Sequence, residues 1–233
     1  MTDVGSDIES PPAVITIDGP SGTGKGTIAR AICNWLGWHF LDSGALYRVL
    51  GLVVRRDRLD PSDEAKIGSI ASKLDVSFVR MEEETKVYHD GVDCTLAIRT
   101  EECGITASRL AVFPAVRKAL LRKQRAFRSS PGLVADGRDM GTVVFPDADL
   151  QIFMTANVDE RARRRYNQLK KKGIYASLAD LSKDIEERDE RDATREQSPL
   201  KPSPTAVILD TTVMSIQEVT DKVKILVRKH GLT

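Results

Sequence analysis

The amino-acid sequence predicts an α/β fold in which helices cover both faces of a five-stranded parallel sheet. Short apolar runs alternate with segments of helical periodicity, and a glycine-rich turn joins the first run directly to the first helix. Two stretches interrupt the alternation and are expected to form an inserted antiparallel hairpin and a charged helical pair.

The apolar runs occupy 14–18, 39–41, 133–136, 150–154 and 206–210. They are short, β-branched and nearly unbroken, as strands buried on both faces of a parallel sheet are. Residues 25–36 place Ile28, Ala29, Ile32, Cys33 and Leu36 on one side of a helix that Gly37 terminates. Residues 75–80 and 86–90 alternate around a polar turn, so a hairpin is expected inside an insertion at about 62–112. Residues 115–128 read as a basic helix with Val116, Leu120 and Phe127 inward. The stretch 159–197 reads as two charged helices about Gly173, the second starting at Ser177 and burying Leu178, Leu181 and Ile185. The last helix opens with Ser215 and Glu218, a capping box, and sets Ile216, Val219, Val223 and Val227 on one stripe before Gly231.

Composition narrows the partners. A chain of 233 residues can bury one α/β core with a modest insertion. Its 35 Lys and Arg nearly balance 34 Asp and Glu, so neither nucleic acid nor a membrane surface is an expected partner. Cys33, Cys94 and Cys103 form no CxxC pair and are odd in number. Reduced cytosolic thiols are therefore expected in place of disulfides or a zinc site. Residues 1–12 are acidic and polar, read as a flexible tail with no signal peptide. No run approaches the roughly 18 apolar residues of a membrane span.

The glycine-rich turn carries the chemistry. Gly19, Pro20, Ser21, Gly22, Thr23, Gly24, Lys25, Gly26 and Thr27 follow a strand and open a helix. Such a P-loop curls successive backbone N–H groups around a phosphate, and its lysine reaches the β- and γ-phosphates of a nucleoside triphosphate. The hydroxyl that usually follows the lysine is displaced by one residue, from Gly26 to Thr27, which becomes the candidate for positioning Mg²⁺. Asn34, Asn157 and Asn167, the only asparagines, begin no Asn-Lys-x-Asp motif, which disfavours a GTPase. Asp136 ends an apolar strand; it either holds Mg²⁺ through water or starts a turn. Arg188, Asp192 and Arg195 share one helical face by their spacing. Arg164, Arg165 and Lys170 to Lys172 are expected on a solvated face.

Four segments then resemble the bacterial cytidylate kinases. They are 19–27, 41–48 (Leu-Asp-Ser-Gly-Ala-Leu-Tyr-Arg), 136–146 (Asp-Gly-Arg-Asp-Met-Gly-Thr-Val-Val-Phe-Pro), and 188–195 (Arg-Asp-Glu-Arg-Asp-Ala-Thr-Arg) followed by Ser198-Pro199-Leu200. The resemblance covers about 13–230. It implies a P-loop kinase core (13–61 and 113–233), a nucleoside-monophosphate-binding insertion (62–112) with a small antiparallel sheet, and a short helical lid (159–197). It implies transfer of the γ-phosphoryl group of ATP to CMP or dCMP with Mg²⁺. It carries Ser43, Arg48, Ser108, Arg117, Arg138, Asp139, Arg188, Asp192 and Arg195 to the acceptor site, and gives Lys25, Arg138, Arg188 and Arg195 the catalytic charge work. The Gly-Lys-Gly-Thr form of the loop is usual in that family. Asp139 is the candidate for reading the cytosine amino group. The rival readings are another small-metabolite P-loop kinase (UMP, AMP or shikimate) and a nucleotide-sensing module without turnover. A cytoplasmic monomer is expected.

Overall fold

The first apolar run forms β1 (Ala13–Asp18), buried from Val14 onward. The P-loop carries the chain into α1 (Lys25–Leu36), then β2 (His39–Asp42) and α2 (Ser43–Arg56) follow. The insertion supplies α3 (Glu64–Lys73), β3 (Val76–Arg80), β4 (Thr85–His89), β5 (Val92–Asp93) and α4 (Glu101–Leu110). The chain continues through α5 (Pro114–Arg125), β6 (Gly132–Asp136) and a π-helical turn (Met140–Val144). It ends with β7 (Leu150–Thr155), α6 (Val158–Lys171), α7 (Leu178–Thr194), β8 (Val207–Asp210) and α8 (Ile216–Lys229). This computed structural model describes residues 11–81, 85–171 and 173–233. The predicted tail lies outside them except for its last two residues, and so does most of the hairpin turn.

All five expected core strands form one parallel sheet in the order β2-β6-β1-β7-β8. Alternate residues of β1 face opposite sides. Val14 joins Leu41, Leu133 and the helices α2 to α5 in one apolar cluster, and Ile15 and Ile17 join α1 and α8 in another. The parallel register aligns Asp42 with Asp136 and Ile17 with Asp136, so three strands deliver their carboxyl ends to one place. In open α/β sheets that end, where the strand order reverses about β1, is where ligands bind.

The hairpin forms as an antiparallel pair, with β5 added on its far edge as a third strand. Ile67, Ala71, Val87, Cys94 and Ile98 of the insertion belong to the same apolar cluster as Leu41 and Leu133, so the insertion is anchored in the core. The charged pair α6 and α7 has its own small core of Ala162, Leu169, Leu181 and Ile185. The expected caps are present: Ser177 accepts from the Asp180 amide, and Ser215 and Glu218 form a capping box. Cys33, Cys94 and Cys103 are buried. Among the described residues no helix is long and apolar enough to cross a membrane.

The 206–210 run is not buried on both faces, since β8 lies at the sheet edge and Ile208 is 63% exposed, and two helix side chains read as buried are not. Leu178 and Ile216 are 48% and 64% exposed. Each occupies the first helical position after its cap, where the helix overhangs the core it packs on; the buried stripes begin at Leu181 and Val219. Ile216→Ser should therefore change unfolding free energy by less than about 0.5 kcal/mol. Val223→Ala, in the same helix and fully buried, should cost about 1.5–3 kcal/mol. Urea denaturation of both variants checks the orientation of α8, and equal costs contradict it.

Candidate active site

The P-loop can turn where it does because Gly19 has no side chain. Its φ is +142°, and a Cβ there would stand 2.0 Å from the Met154 carbonyl oxygen of β7. The loop then closes on itself: Thr23 Oγ1 and Lys25 Nζ donate to the Pro20 carbonyl at 3.2 and 2.8 Å, and the Gly24 carbonyl accepts from the Thr27 and Ile28 amides. Gly26, the departure noted in the sequence, has a local cause. A Cβ at that position would lie 3.1 Å from Asp136 Oδ2 and 3.4 Å from the Arg30 guanidinium. A serine there would crowd both groups, and the hydroxyl falls to Thr27.

Asp18, the last residue of β1, joins this loop to the next. Its two carboxylate oxygens accept from the Met140 and Gly141 amides at 2.9 and 2.8 Å. Those amides begin the π-helical turn directly after Arg138 and Asp139, so the two site loops are fixed to each other. Asp139 is paired with Arg117, whose Nη1 also donates to the Ala111 carbonyl at 3.2 Å. Arg48 Nη1 donates to the Ile98 and Thr100 carbonyls at 2.8 and 3.2 Å, tying α2 to the insertion. Ser43 Oγ accepts from Gln124 Nε2 at 2.7 Å. Ser108 is buried, and its hydroxyl has no hydrogen-bond partner among the described residues.

Helix α7 completes the enclosure. Asp192 accepts from Arg138 Nε at 2.9 Å, and Arg188 reaches Ser21 Oγ at 3.4 Å. Arg195 donates through Nε to the Ser198 carbonyl. Arg188 Nε and Arg195 Nη2 are buried without partners among the described residues. All sequence-predicted site residues except Gly19, Pro20 and Thr23 line a single cleft of about 470 Å³. Those three lie behind it, shaping the loop.

The electrostatics are those of an anion site. Burial and the neighbouring Arg138 pull Lys25 down to about 7, and burial and Arg138 bring Arg188 to about 9. Burial alone would lower Arg138, but Asp192 outweighs it and holds the guanidinium charged. Burial works in the opposite sense on the acids, raising Asp18 to about 7 and Asp136 to about 6 against the attraction of Lys25. Cations are thus packed closely enough to oppose one another's charge. A polyanionic ligand relieves that opposition.

Several participants had no sequence signal of their own. Asp18 read only as a strand end. Gln124 read as part of a basic helix, and Tyr47 only as one residue of the 41–48 segment with no role of its own, although it lines the cleft. Arg161 is 4% exposed; it donates to the carbonyls of Ala156 and Ser21 at 2.9 and 3.2 Å and pairs with Asp189 of the lid. Arg164 corrects an expectation. It is not on a solvated face: it donates to the Thr23 and Thr211 carbonyls at 3.1 and 2.6 Å, clamping the P-loop to the segment after β8. Helical spacing alone cannot distinguish such an arginine from exposed Arg163 one position earlier.

A family model described as cytidylate kinase matches residues 15–229. The cytidylate kinase of Colwellia psychrerythraea is 55% identical over 92% of this chain and 95% of its own. Those of Nitrosococcus oceani and Methylococcus capsulatus are 53% and 52% identical, covering 90% and 93% of this chain and 93% and 97% of theirs. Among solved structures, shikimate kinase from Bacteroides thetaiotaomicron overlaps at 13% identity with a TM-score of 0.46, over 93% of this chain and 97% of that one. That likeness is too loose to carry an assignment.

The raised Asp136 has a measurable consequence. Between the ordinary aspartate value near 4 and about 6, the folded protein holds a proton that the unfolded chain releases. This group therefore favours folding at low pH and loses that contribution as pH rises through about 6. Asp136→Asn removes the titration. Its stability relative to wild type, by urea denaturation, should rise between about pH 4 and 6 and then level off. A difference that does not change with pH contradicts a buried, raised Asp136.

Proposed function

The chain belongs to the cytidylate kinase family, and we propose that it transfers the γ-phosphoryl group of ATP to CMP or dCMP, giving CDP or dCDP and ADP. The observation that carries this reading is the convergence of Lys25, Arg48, Arg138, Arg188 and Arg195 on one cleft. The P-loop forms one end of that cleft, and Ser108, Arg117 and Asp139 line it where a base could be read.

Phosphoryl transfer between two nucleotides brings several negative charges together, and catalysis is largely alignment and neutralisation of that charge. In this reading the P-loop amides and Lys25 hold the β- and γ-phosphates, Arg48 and Arg138 hold the CMP phosphate, and Arg188 and Arg195 span the transferring group. Arginine suits this work because its planar fork donates in pairs and stays charged. The nucleophile is already a phosphate oxygen, so no general base is required. Asp192, paired with Arg138, presents its remaining acceptor capacity to the ribose.

Thr27 and Asp136 line the same cleft and are both oxygen donors, the ligand type that Mg²⁺ takes. They would hold it beside the phosphates, Asp136 through water. When bound, the ion neutralises charge on the β- and γ-oxygens. We assign 62–112 to acceptor binding, 159–197 to the lid, and the remainder from 13 to the core. Buried cysteine thiols fit a reducing cytoplasm.

UMP and shikimate lack an amino group that can donate to Asp139, AMP carries its amino group on a larger purine ring, and a sensor has no use for a cationic cluster at the transferred group. Asp139 is 4% exposed and held by Arg117. Uracil would set a carbonyl oxygen against this carboxylate with no proton between them. With ATP and Mg²⁺, ADP formation should be fastest with CMP or dCMP. Asp139→Asn should lower kcat/KM for CMP by about 10- to 150-fold, the loss of a charged hydrogen bond, and change UMP far less. An unchanged CMP/UMP ratio in the folded variant assigns base reading to other residues.

A further inference from the structure

Taking Ser43 as an acceptor-site residue, as read above, we propose that Gln124 is a positioning residue that fixes the polarity of the Ser43 hydroxyl. The hydroxyl then offers the nucleoside monophosphate a proton and not a lone pair.

Gln124 sits in the last turn of α5 and is 2% exposed; Ser43 opens α2, is 4% exposed and lines the cleft. The Gln124 amide donates to Ser43 Oγ at 2.7 Å. A serine hydroxyl has one proton and two lone pairs. With a lone pair taken by the amide, the proton remains, and among the described residues no acceptor for it accompanies the Gln124 contact. An amide N–H cannot accept, so with Nε2 toward Ser43 the hydroxyl keeps its proton for a ligand. The atoms a monophosphate can offer such a donor are all acceptors: phosphate oxygens, or the O2 and N3 of a cytosine ring. Ser108 supplies the contrast. Its hydroxyl lines the same cleft with no partner among the described residues and can rotate to suit the ligand. The two serines thus divide the work, one with a set polarity and one adaptable.

Gln124→Glu reverses the polarity with almost no change in shape. Its carboxylate takes the Ser43 proton and turns a lone pair toward the ligand. At pH 8 the KM for CMP should rise about tenfold or more, with kcat and the KM for ATP within about twofold of wild type. A buried carboxyl has a raised pKa, so lowering the pH toward 6 protonates it. Its O–H then donates as the glutamine amide does, and the KM should return toward the wild-type value measured at that pH. On a Ser43→Ala background, Gln124→Glu should add nothing. An unaltered KM in Gln124→Glu, a loss equal at pH 6 and 8, or a further loss on the Ser43→Ala background overturns the proposal, the last indicating a merely structural role. If Ser43→Ala alone leaves the KM for CMP unchanged while CMP turnover persists, Ser43 is not in the acceptor site and the proposal falls without the kinase reading. Should Gln124→Glu fail to fold, Gln124→Met fills the same volume without donating or accepting. Its KM for CMP should rise about twofold or more, and an unchanged value overturns the proposal.

Discussion

Three aspartates end three neighbouring strands, and the site depends on their meeting. Parallel pairing places the carboxyl ends of β2, β6 and β1 side by side, with Asp42 opposite Asp136. Each carboxylate then has a separate task. Asp42 caps α2 by accepting from the Ala45 amide, which presents Ser43 and Arg48 to the cleft. Asp18 accepts two amides of the turn that follows Arg138 and Asp139. Asp136 faces Gly26 and draws on Lys25. Slipping any of these strands by one residue would turn its aspartate to the opposite face of the sheet and release a loop, a helix start or a charge.

The same convergence has a cost. Buried charges of both signs stand close together, and burial opposes the ionisation of Lys25, Asp18 and Asp136 at once. Removing one partner from such a set leaves an uncompensated charge in a poorly solvated place. The arginines of α7 and its C-cap add to the positive side, and three of them, Arg188, Arg191 and Arg195, retain buried N–H groups with no acceptor among the described residues. An arrangement of this kind stores its donors for a ligand rich in acceptor oxygens, and two nucleotide phosphate chains are such a ligand.

The sheet was legible because its strands are near-continuous apolar runs, and the P-loop because glycine and lysine spacing is dictated by a phosphate. The caps at Ser177 and Ser215 were legible for the same local reason. What the sequence could not convey were contacts whose partners are far apart along the chain. Gln124 meets Ser43 across 81 positions and Asp18 meets Met140 across 122, and neither distance leaves a periodic trace. Arg161 and Arg164 lie in a run of arginines whose helical spacing fits an exposed face, yet both are drawn inward by carbonyls of the P-loop. Leu178 and Ile216 fail in the opposite sense, since an apolar side chain in the first turn of a helix keeps the period without reaching the core.

Arg188 stands close to Lys25 and Arg138 against like charge, so both sets of phosphates are needed to hold α7 firmly over the cleft. Hydrogen–deuterium exchange across 159–197 tests this directly, with a non-hydrolysable ATP analogue, with CMP, and with both. Exchange should slow markedly only when the two nucleotides are present together. Exchange that either nucleotide slows equally well alone, or that neither nor both together slow, would contradict a lid closed by charge neutralisation.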